Sequence, residues 1–365
     1  MTDTVNTSLS ESMHREQVTK KNGKVLDIAI PSGITGKELA QKNIPEPTWL
    51  IEEKIPVGTV ALAAAPKSGK TIWSFQLAYA VATGGSFLGN KVEQGTVIYF
   101  DLEGPARRSK KRFEKMKLDI SALDNLIIVN DGIQTLANGL EDQLIAYKQR
   151  YKDLKLVVID TLSKVYPSIT KDYNEETKIY NSLRKTATSL GITVLLVHHK
   201  SKYKNDADPF SGAYGTNALA GNCDVLISLS TKNKGDKEVE LFMEGNDIET
   251  YRVVCRFEHL HWEVIGDPDD VATRKAEEAI RKSPVFQAIQ MGLQHKANDG
   301  AYKFTIKEMI NDSKYWGVRG YFGDPKSIAT WLRQNKDMLE VMLGACISSK
   351  RASGGMEYTV SLVFS

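Results

Sequence analysis

The triplet Gly69-Lys70-Thr71 stands between an apolar run and a helix-like pattern, and this order constrains the chain more than any other feature. The apolar run covers residues 59–63, and the helical pattern begins at Ile72. Strand, short loop and helix in this order are the context that a phosphate-binding loop needs. Residues 64–71 read AAPKSGKT and depart from the pattern G-x-x-x-x-G-K-[ST] only at Ala64, which replaces the first glycine. Alanine disfavours positive φ, so we expect ordinary backbone there.

Such a loop binds a nucleotide through its main chain and two side chains. Its backbone N–H groups wrap the β-phosphate, the Lys70 amine reaches the β- and γ-phosphates, and the Thr71 hydroxyl ligates Mg²⁺. The sequence therefore predicts nucleotide binding, with a chance Gly-Lys-Thr at a helix start as the alternative. The residues predicted to contact the nucleotide are Ala65, Pro66, Lys67, Ser68, Gly69, Lys70, Thr71 and Ile72.

Bulk composition excludes several classes of protein. The 365 residues suffice for a full core and a second, smaller domain, and the net charge of +3 is too near neutral to identify a nucleic-acid binder. No apolar run approaches the ~20 residues of a membrane span, and the N-terminus lacks a signal-peptide pattern. The three scattered cysteines argue against a zinc site or a disulfide framework. We expect a cytoplasmic protein without membrane contact.

Apolar runs alternate with helical patterns over the middle of the chain. This alternation predicts the α/β class, with a parallel sheet covered on both faces. Two later runs, 238–243 and 251–257, alternate with period two and predict an antiparallel addition to the sheet edge. The parallel strands are predicted at 59–63, 96–100, 125–129, 155–159, 193–197 and 224–229, and the helices between them at 72–82, 106–116, 140–151 and 174–190.

The two ends of the chain differ from this core. We expect a flexible N-terminal arm over 1–35, a core over 36–265, an acidic linker over 266–271 and a C-terminal domain over 272–365. The last has the element order of a winged helix: a helix at 272–297, a strand and helix at 304–313, a helix at 326–343, and two β arms around a Gly-Gly turn. Its 14 basic and 9 acidic residues give a balance of +5, which fits nucleic acid without proving it.

Acidic and imidazole groups end three of the predicted strands, where a parallel sheet forms its ligand crevice. Asp160 ends the run LVVID about 90 residues after the phosphate loop, which suits a carboxylate beside Mg²⁺. Glu103 follows another strand and suits the activation of water, with Asp101 as the competing residue. His198 and His199 end a third strand, where a histidine could sense the γ-phosphate. Adjacent histidines are otherwise solvated or locally hydrogen-bonded.

Two loops after these strands combine lysine, aromatic and hydroxyl groups, which suits phosphate contact and base stacking. A solvated loop is the equally weighted alternative. The residues predicted to contact DNA are Lys164, Lys200, Lys202 and Lys204.

Together these residues resemble the RecA-like P-loop ATPases, and among them the RepA-type hexameric helicases of plasmids and phages. The matching features run in the family's order over about residues 36–265. The resemblance implies ATP and Mg²⁺ as cofactors, with Lys70 and Thr71 binding Mg-ATP. It further implies Glu103 as the catalytic carboxylate, Asp160 as the Walker B acid and His199 as the γ-phosphate sensor.

The resemblance also implies a homohexameric DNA helicase or translocase that hydrolyses ATP between subunits, threads single-stranded DNA and works with a primase or initiator. Asn246 stands where the family usually has its arginine finger. Arg252, Arg256, Lys232 or Lys234 could substitute for it. A second hypothesis is therefore a helicase loader or DNA-binding switch that does not translocate. A third, a KaiC-like signalling ATPase or kinase, fits the basic loops less well.

Overall fold

The computed structural model describes residues 13–20, 24–31, 33–44, 46–166, 173–200, 210, 217–231, 235–353 and 355–363. The chain divides into two compact units, Met1–Pro47 and Thr48–Ser365.

The N-terminal unit contains an antiparallel strand pair and one short helix. Strands β1 (Met13–Thr19) and β2 (Val25–Pro31) pair along their whole length. Helix α1 (Gly36–Gln41) begins at a capping box, in which Thr35 and Glu38 bond each other's backbone N–H groups. A flexible arm was expected before residue 36, and the described residues instead form this pair. The overlooked signal is the period-two repeat of Leu26, Ile28 and Ile30, which is too short to stand out in a polar segment.

The larger unit contains the remaining elements. Its first strands, which include the predicted parallel set, are β3 (Trp49–Ile51), β4 (Ile55–Pro56), β5 (Gly58–Ala64), β6 (Ser86–Phe87), β7 (Asn90–Lys91), β8 (Thr96–Asp101), β9 (Leu126–Val129), β10 (Leu154–Asp160), β11 (Thr193–His199) and β12 (Val225–Ser230). The later strands are β13 (Glu238–Gly245), β14 (Tyr251–Glu258), β15 (His261–Gly266), β16 (Ala301–Thr305), β17 (Ala345–Ala352) and β18 (Gly355–Leu362). The helices are α2 (Lys70–Thr83), α3 (Ala106–Met116), α4 (Leu140–Arg150), α5 (Tyr173–Leu190), α6 (Asn217–Asn222), α7 (Pro268–Lys282), α8 (Pro284–His295), α9 (Ile306–Tyr315), α10 (Pro325–Gln334) and α11 (Lys336–Leu343).

Nine strands form the central sheet, in the order β15-β14-β13-β12-β5-β11-β10-β8-β9. The strands from β12 to β9 pair in parallel, while β13, β14 and β15 extend the sheet antiparallel beyond β12. The predicted α/β class, its parallel strands and the antiparallel addition are confirmed. Strand β11 lies between β5 and β10, so the phosphate-loop strand and the Asp160 strand are not direct neighbours.

Alternate residues of the buried strands face two separate hydrophobic clusters. On β5, Val60 and Leu62 belong to the cluster that includes α2, whereas Ala61 belongs to the cluster that includes α4 and α5. Both faces of the parallel sheet are therefore covered, which explains why its strands are apolar along their whole length.

A third cluster forms the core of the C-terminal part. There β16 pairs with β18, and β18 pairs with β17, in a three-stranded antiparallel sheet. The segment expected to be a linker starts α7, because Asp267 caps this helix and Pro268 occupies its first turn. The single helix expected over 272–297 is two helices, since Pro284 starts α8 after the cap at Ser283. The helix expected over 326–343 likewise divides into α10 and α11.

None of the helices within the described ranges combines the length and the apolar character needed to cross a bilayer.

Asp224 joins three elements at the amino edge of the sheet. Its Oδ2 accepts hydrogen bonds from the Thr59 N–H at 2.8 Å and the Thr59 hydroxyl at 3.2 Å, and its Oδ1 accepts one from Arg184 Nε at 2.7 Å. The carboxylate is buried, and it therefore ties helix α5 to the start of the phosphate-loop strand.

We expect Asp224→Asn to lower the free energy of unfolding by about 2–4 kcal/mol, because it leaves the Arg184 guanidinium without its countercharge and perturbs a buried acceptor. Chemical denaturation measures this change. The control is Glu278→Gln on α7, which removes an exposed ion pair with Lys282 and should cost less than about 0.5 kcal/mol. Equal effects from both variants would contradict the role given to Asp224.

Candidate active site

Four strands of the sheet bring the predicted site residues to one edge. The register pairs Ala64 with His199, and it pairs Asp160 with Val197 on one side and with Asp101 on the other. The carboxyl ends of β5 and β11 are therefore level with each other, those of β10 and β8 are level with each other, and the two pairs end two residues apart. A crevice at this edge is the ligand site of open parallel sheets.

The phosphate loop connects β5 to α2 through backbone with positive φ at two positions, Lys67 and Gly69. Ala64 is the last residue of β5 and lies in extended backbone, as predicted. Gly69 has a φ of 89° and precedes the first residue of α2, and within the described residues no side chain caps this helix. The first N–H groups of α2 are thus available to an anion. The Ser68 hydroxyl is buried in the same loop and has no hydrogen-bond partner among the described residues.

The Lys70 amine lies inside the loop and not in solvent. It donates hydrogen bonds to the Ala64 and Ala65 carbonyls at 2.9 and 2.8 Å. Burial lowers the pKa of Lys70 to about 8, and the negative charges of Asp160 and Glu103 act in the opposite direction. The loop carbonyls therefore hold the amine in place, and Asp160 and Glu103 are both close enough to affect its charge.

Asp160 belongs to a buried chain of hydrogen bonds between β10, β8 and α2. Its Oδ2 accepts from the Tyr99 hydroxyl at 3.1 Å, and that hydroxyl shares a 2.7 Å hydrogen bond with Ser74. Burial raises the pKa of Asp160, while hydrogen bonding from the Thr71 and Tyr99 hydroxyls favours its charged form. The two residues predicted to bind the metal, Thr71 and Asp160, are therefore close enough for the hydroxyl to affect the charge of the carboxylate.

Tyr99 and Ser74 were not among the predicted site residues. Ser74 lies one helical turn after Lys70, and Tyr99 lies inside a strand that reads as pure core. The sequence signal for this pair was the Ser74 hydroxyl on the helix face toward the sheet. A buried hydroxyl requires a hydrogen-bond partner, so a polar group on a neighbouring strand could have been expected.

Glu103 and His199 meet across the crevice. His199 Nε2 lies 3.2 Å from Glu103 Oε1, and both side chains are partly exposed. The backbone around Glu103 is fixed, because the Asn130 amide donates to the Asp101 and Gly104 carbonyls at 3.0 Å each and Arg108 donates to the Glu103 carbonyl at 2.9 Å. The structure thus joins two of the residues predicted to be catalytic.

Asp101, the competing candidate, has a different environment. It is fully buried, and its Oδ2 accepts from the Ser109 hydroxyl at 2.6 Å and from Arg112 at 3.1 Å. These bonds turn the carboxylate toward α3. The geometry therefore favours Glu103 over Asp101 as the group facing the crevice.

The hairpin of β14 and β15 packs directly on the phosphate loop. Trp262 Nε1 donates to the Gly69 carbonyl at 3.3 Å, and the Gln76 side chain bonds both the N–H and the carbonyl of Trp262 at 2.9 Å. Phe257 stacks on Trp262 with ring centroids 4.8 Å apart. A Cβ atom at Gly69 would lie 2.9 Å from the Phe257 ring, so the close approach requires glycine as much as the φ angle does. Sequence reasoning missed this support because it comes from residues nearly two hundred positions away.

The lysines predicted to contact DNA have different surroundings. Lys164 is exposed on a single 3₁₀ turn, Leu162–Lys164, that directly follows the Asp160 strand. The Lys200 amine donates to the Ser228 and Ser230 hydroxyls at 2.6 and 3.1 Å. Because contact with DNA would compete with these two bonds, Lys200 is not part of the proposed DNA site. Lys202 and Lys204 lie outside the described residues.

Two of the four residues that could replace a missing arginine finger, Arg252 and Arg256, lie within the described ranges. Arg252 pairs with Glu240, and Arg256 pairs with Glu263, each at 3.2 Å and each exposed on β14. Lys232 and Lys234 lie outside the described residues.

The site fits a magnesium nucleotide. The uncapped helix start, the unpartnered Ser68 hydroxyl and the Lys70 amine provide donors for phosphate oxygens. Mg²⁺ takes only one or two oxygen ligands from a protein and keeps its remaining ligands from phosphate and water, so the Thr71–Asp160 pair is a sufficient set.

The fold and the site together have the arrangement of a nucleotide-binding α/β core, in which a phosphate loop joins a buried parallel strand to a helix. Residues 33–205, a little under half of the chain, match the family model described as AAA domain. A comparison with curated proteins gives no match.

Several solved structures are similar to this chain at low identity. A DnaB-like replicative helicase, solved in a study of its interactions with primase, is 16% identical, with 65% of this chain and 68% of that chain covered and a TM-score of 0.48. An ATPase domain is 18% identical, with 57% and 84% covered and a TM-score of 0.45. A KaiC-like protein of the archaeon Pyrococcus horikoshii OT3 is 15% identical, with 59% and 93% covered and a TM-score of 0.42.

We expect Glu103→Gln to lower ATP turnover by about 100- to 10,000-fold while nucleotide binding changes little, since the amide keeps the shape of the side chain and cannot accept a proton. Steady-state phosphate release and equilibrium titration with a fluorescent ATP analogue measure the two quantities.

The matched control is Asp101→Asn. Because Asp101 bonds Ser109 and Arg112, this change should lower the free energy of unfolding more than Glu103→Gln does, and it should lower turnover less. If Asp101→Asn abolishes turnover and Glu103→Gln retains it, the roles of the two acids are exchanged.

We also expect His198 to make stability depend on pH. Burial, and then the nearby His199 and Lys70, lower the pKa of His198 from 6.5 to about 4. Between these values the unfolded chain binds a proton that the folded chain does not, so the free energy of unfolding falls as pH falls from about 6.5 to about 4.

Denaturation curves at several pH values in this window measure the slope for His198→Gln, which should be flatter than for the unaltered protein. The control is His261→Gln, an exposed histidine of the β14–β15 hairpin, which should keep the original slope. An unchanged slope in His198→Gln would refute this account.

Proposed function

We propose that the protein is an ATP-driven DNA motor of the RepA type, a helicase or translocase that acts in DNA replication. The observation that carries the proposal is the meeting of the phosphate loop, Asp160, Glu103 and His199 at one sheet edge. A phosphate cradle with a metal-binding acid and a second, partly exposed carboxylate is what NTP hydrolysis requires. The match of residues 33–205 to an AAA domain supports the same reaction.

Each residue has a chemical role in this proposal. Bound Mg-ATP supplies a γ-phosphoryl group that is transferred to water. The Ser68 hydroxyl and the first N–H groups of α2 bind phosphate oxygens, and Lys70 neutralises part of their charge. Thr71 and Asp160 would hold Mg²⁺, with a hydroxyl and a carboxylate as its oxygen ligands from the protein.

Glu103 orients the attacking water and accepts its proton at Oε1. His199 bonds the same oxygen, so it fixes the direction of the carboxylate. A histidine so close to the catalytic carboxylate is also suited to sense whether the γ-phosphate is present, since a new hydrogen bond to phosphate would compete with the one to Glu103.

We propose that the active form is a homohexamer that binds ATP between subunits. Arg252 and Arg256 are exposed on β14, and each is engaged only by an exposed carboxylate, so either guanidinium can reach a neighbouring subunit at small cost. One of these residues would supply the arginine finger in place of Asn246.

Single-stranded DNA would contact the loop after β10. Lys164 is exposed there, four residues beyond Asp160, and Thr161 between them donates to the Val197 carbonyl of β11 at 2.9 Å. A DNA phosphate bound by Lys164 would therefore be connected to the metal site through a short, hydrogen-bonded segment.

We also propose a winged-helix-like fold for the C-terminal part. Its support is the element order α8, β16, α9, α10, α11, β17, β18 and the pairing of β16 with β18. This module would contact DNA or a replication partner such as a primase or initiator.

The test is ATP turnover with and without single-stranded DNA. We expect turnover to increase with DNA and to vanish in Lys70→Ala. We expect Lys164→Ala to raise the DNA concentration for half-maximal stimulation by roughly 3- to 10-fold, because a charge-assisted phosphate contact is lost.

The matched control is Lys152→Ala, an exposed lysine at the opposite end of the Asp160 strand, which should behave like the unaltered protein. Turnover that ignores DNA would favour a helicase loader or a DNA-binding switch. An unchanged DNA concentration for half-maximal stimulation in Lys164→Ala would reject the assignment of this loop.

A further inference from the structure

Two highly exposed aromatic side chains lie at the end of α9 and in the connection from α9 to α10. Tyr315 is 89% exposed and Tyr321 is 90% exposed, which are the highest values for large hydrophobic side chains in the described residues. Large apolar side chains with so little cover cost free energy in water and point to a binding surface when they occur together. We call residues 314–326 the aromatic loop.

The backbone of the aromatic loop is anchored from inside. Trp316 packs between His295 and Tyr302, with ring centroids 6.1 Å from each, and Phe322 packs against the C-terminal core. Gly320, with a φ of 136°, approaches Pro284 so closely that a Cβ atom would lie 2.5 Å from it. Two aromatic residues thus fix the loop, while the other two are held in solvent.

The charge of the aromatic loop is positive and accessible. Lys314, Arg319 and Lys326 are exposed, and none of them forms an ion pair within the described part of the chain. The acid of the loop, Asp324, is turned to its own backbone: Oδ1 accepts from two N–H groups at the start of α10, and Oδ2 accepts from the Ser327 hydroxyl at 2.6 Å. Those bonds lower the pKa of Asp324, and no ion pair joins its carboxylate to the three cations within the described part of the chain.

We propose that the aromatic loop is a second binding site for single-stranded DNA, separate from the loop after β10. Tyr315 and Tyr321 stack on unpaired bases, and the cations between and beside them contact the flanking phosphates. Unpaired bases are favoured over a duplex because the faces of bases in a duplex are already stacked on each other. The inference rests on the proposed function only for the choice of DNA as the nucleic acid.

The test is fluorescence anisotropy of a labelled oligothymidine with the full-length protein, without nucleotide. We expect Tyr315→Ala with Tyr321→Ala to weaken binding by about 10-fold or more, since stacking contributes about 1–3 kcal/mol per base. Tyr315→Phe with Tyr321→Phe should bind like the unaltered protein, because stacking needs no hydroxyl. Arg319→Gln should flatten the dependence of affinity on salt concentration.

The matched control is Val341→Ala on α11, another highly exposed apolar residue of the same region, which should leave affinity unchanged. Thermal melts verify that each variant is folded. Equal affinity of the double alanine variant and the unaltered protein would overturn the inference, as would a double phenylalanine variant as weak as the double alanine. If the unaltered protein binds no oligothymidine, the proposed DNA motor and this site both fail. If it binds and the double alanine variant binds equally well, this site alone fails.

Discussion

The parallel register that brings the carboxyl ends of β5, β11, β10 and β8 within two residues of one another is the constraint on which the site depends. Parallel register fixes Ala64 beside His199 and Asp160 beside Asp101 before any side chain takes part. A shift of one residue in any of these pairings would turn the catalytic candidates to the opposite face of the sheet. The two hydrophobic clusters hold the register because each takes alternate residues from the same strands.

Polar contacts inside this frame compensate for burial. The Ser74 and Tyr99 hydroxyls and the Asp160 carboxylate are buried and hydrogen-bonded to one another. A buried network of this kind is stabilising only when all of its members have partners. Because Ser74 lies on α2, the same network also orients the helix whose first N–H groups form the phosphate cradle.

Local pattern predicted the core well and the connections poorly. The strand ending at Asp160 and the loop ending at Thr71 follow from short, strong signals of apolar runs and glycine. Two prolines explain the differences in the C-terminal part. Pro268 starts α7 where a linker was expected, and Pro284 divides the helix expected over 272–297. Both indicate helix starts once Asp267 and Ser283 are recognised as caps. The support of Gly69 by Trp262 could not be predicted from one sequence, since no local period links two residues so far apart. The same limit hid the contact between Glu103 and His199, which only the strand order reveals.

The hairpin of β14 and β15 connects the phosphate loop to the C-terminal part. At one end Trp262 holds the Gly69 carbonyl, and at the other Arg274 of α7 donates to the Ile265 carbonyl at 2.7 Å. Helix α7 in turn packs against α11. The proposed nucleotide and DNA sites on the two sides of this path can influence each other only if the hairpin adopts two arrangements that the ligands bind differently. The influence would then be equal in both directions, so DNA held by the C-terminal part would change ATP affinity by the same factor as ATP changes DNA affinity.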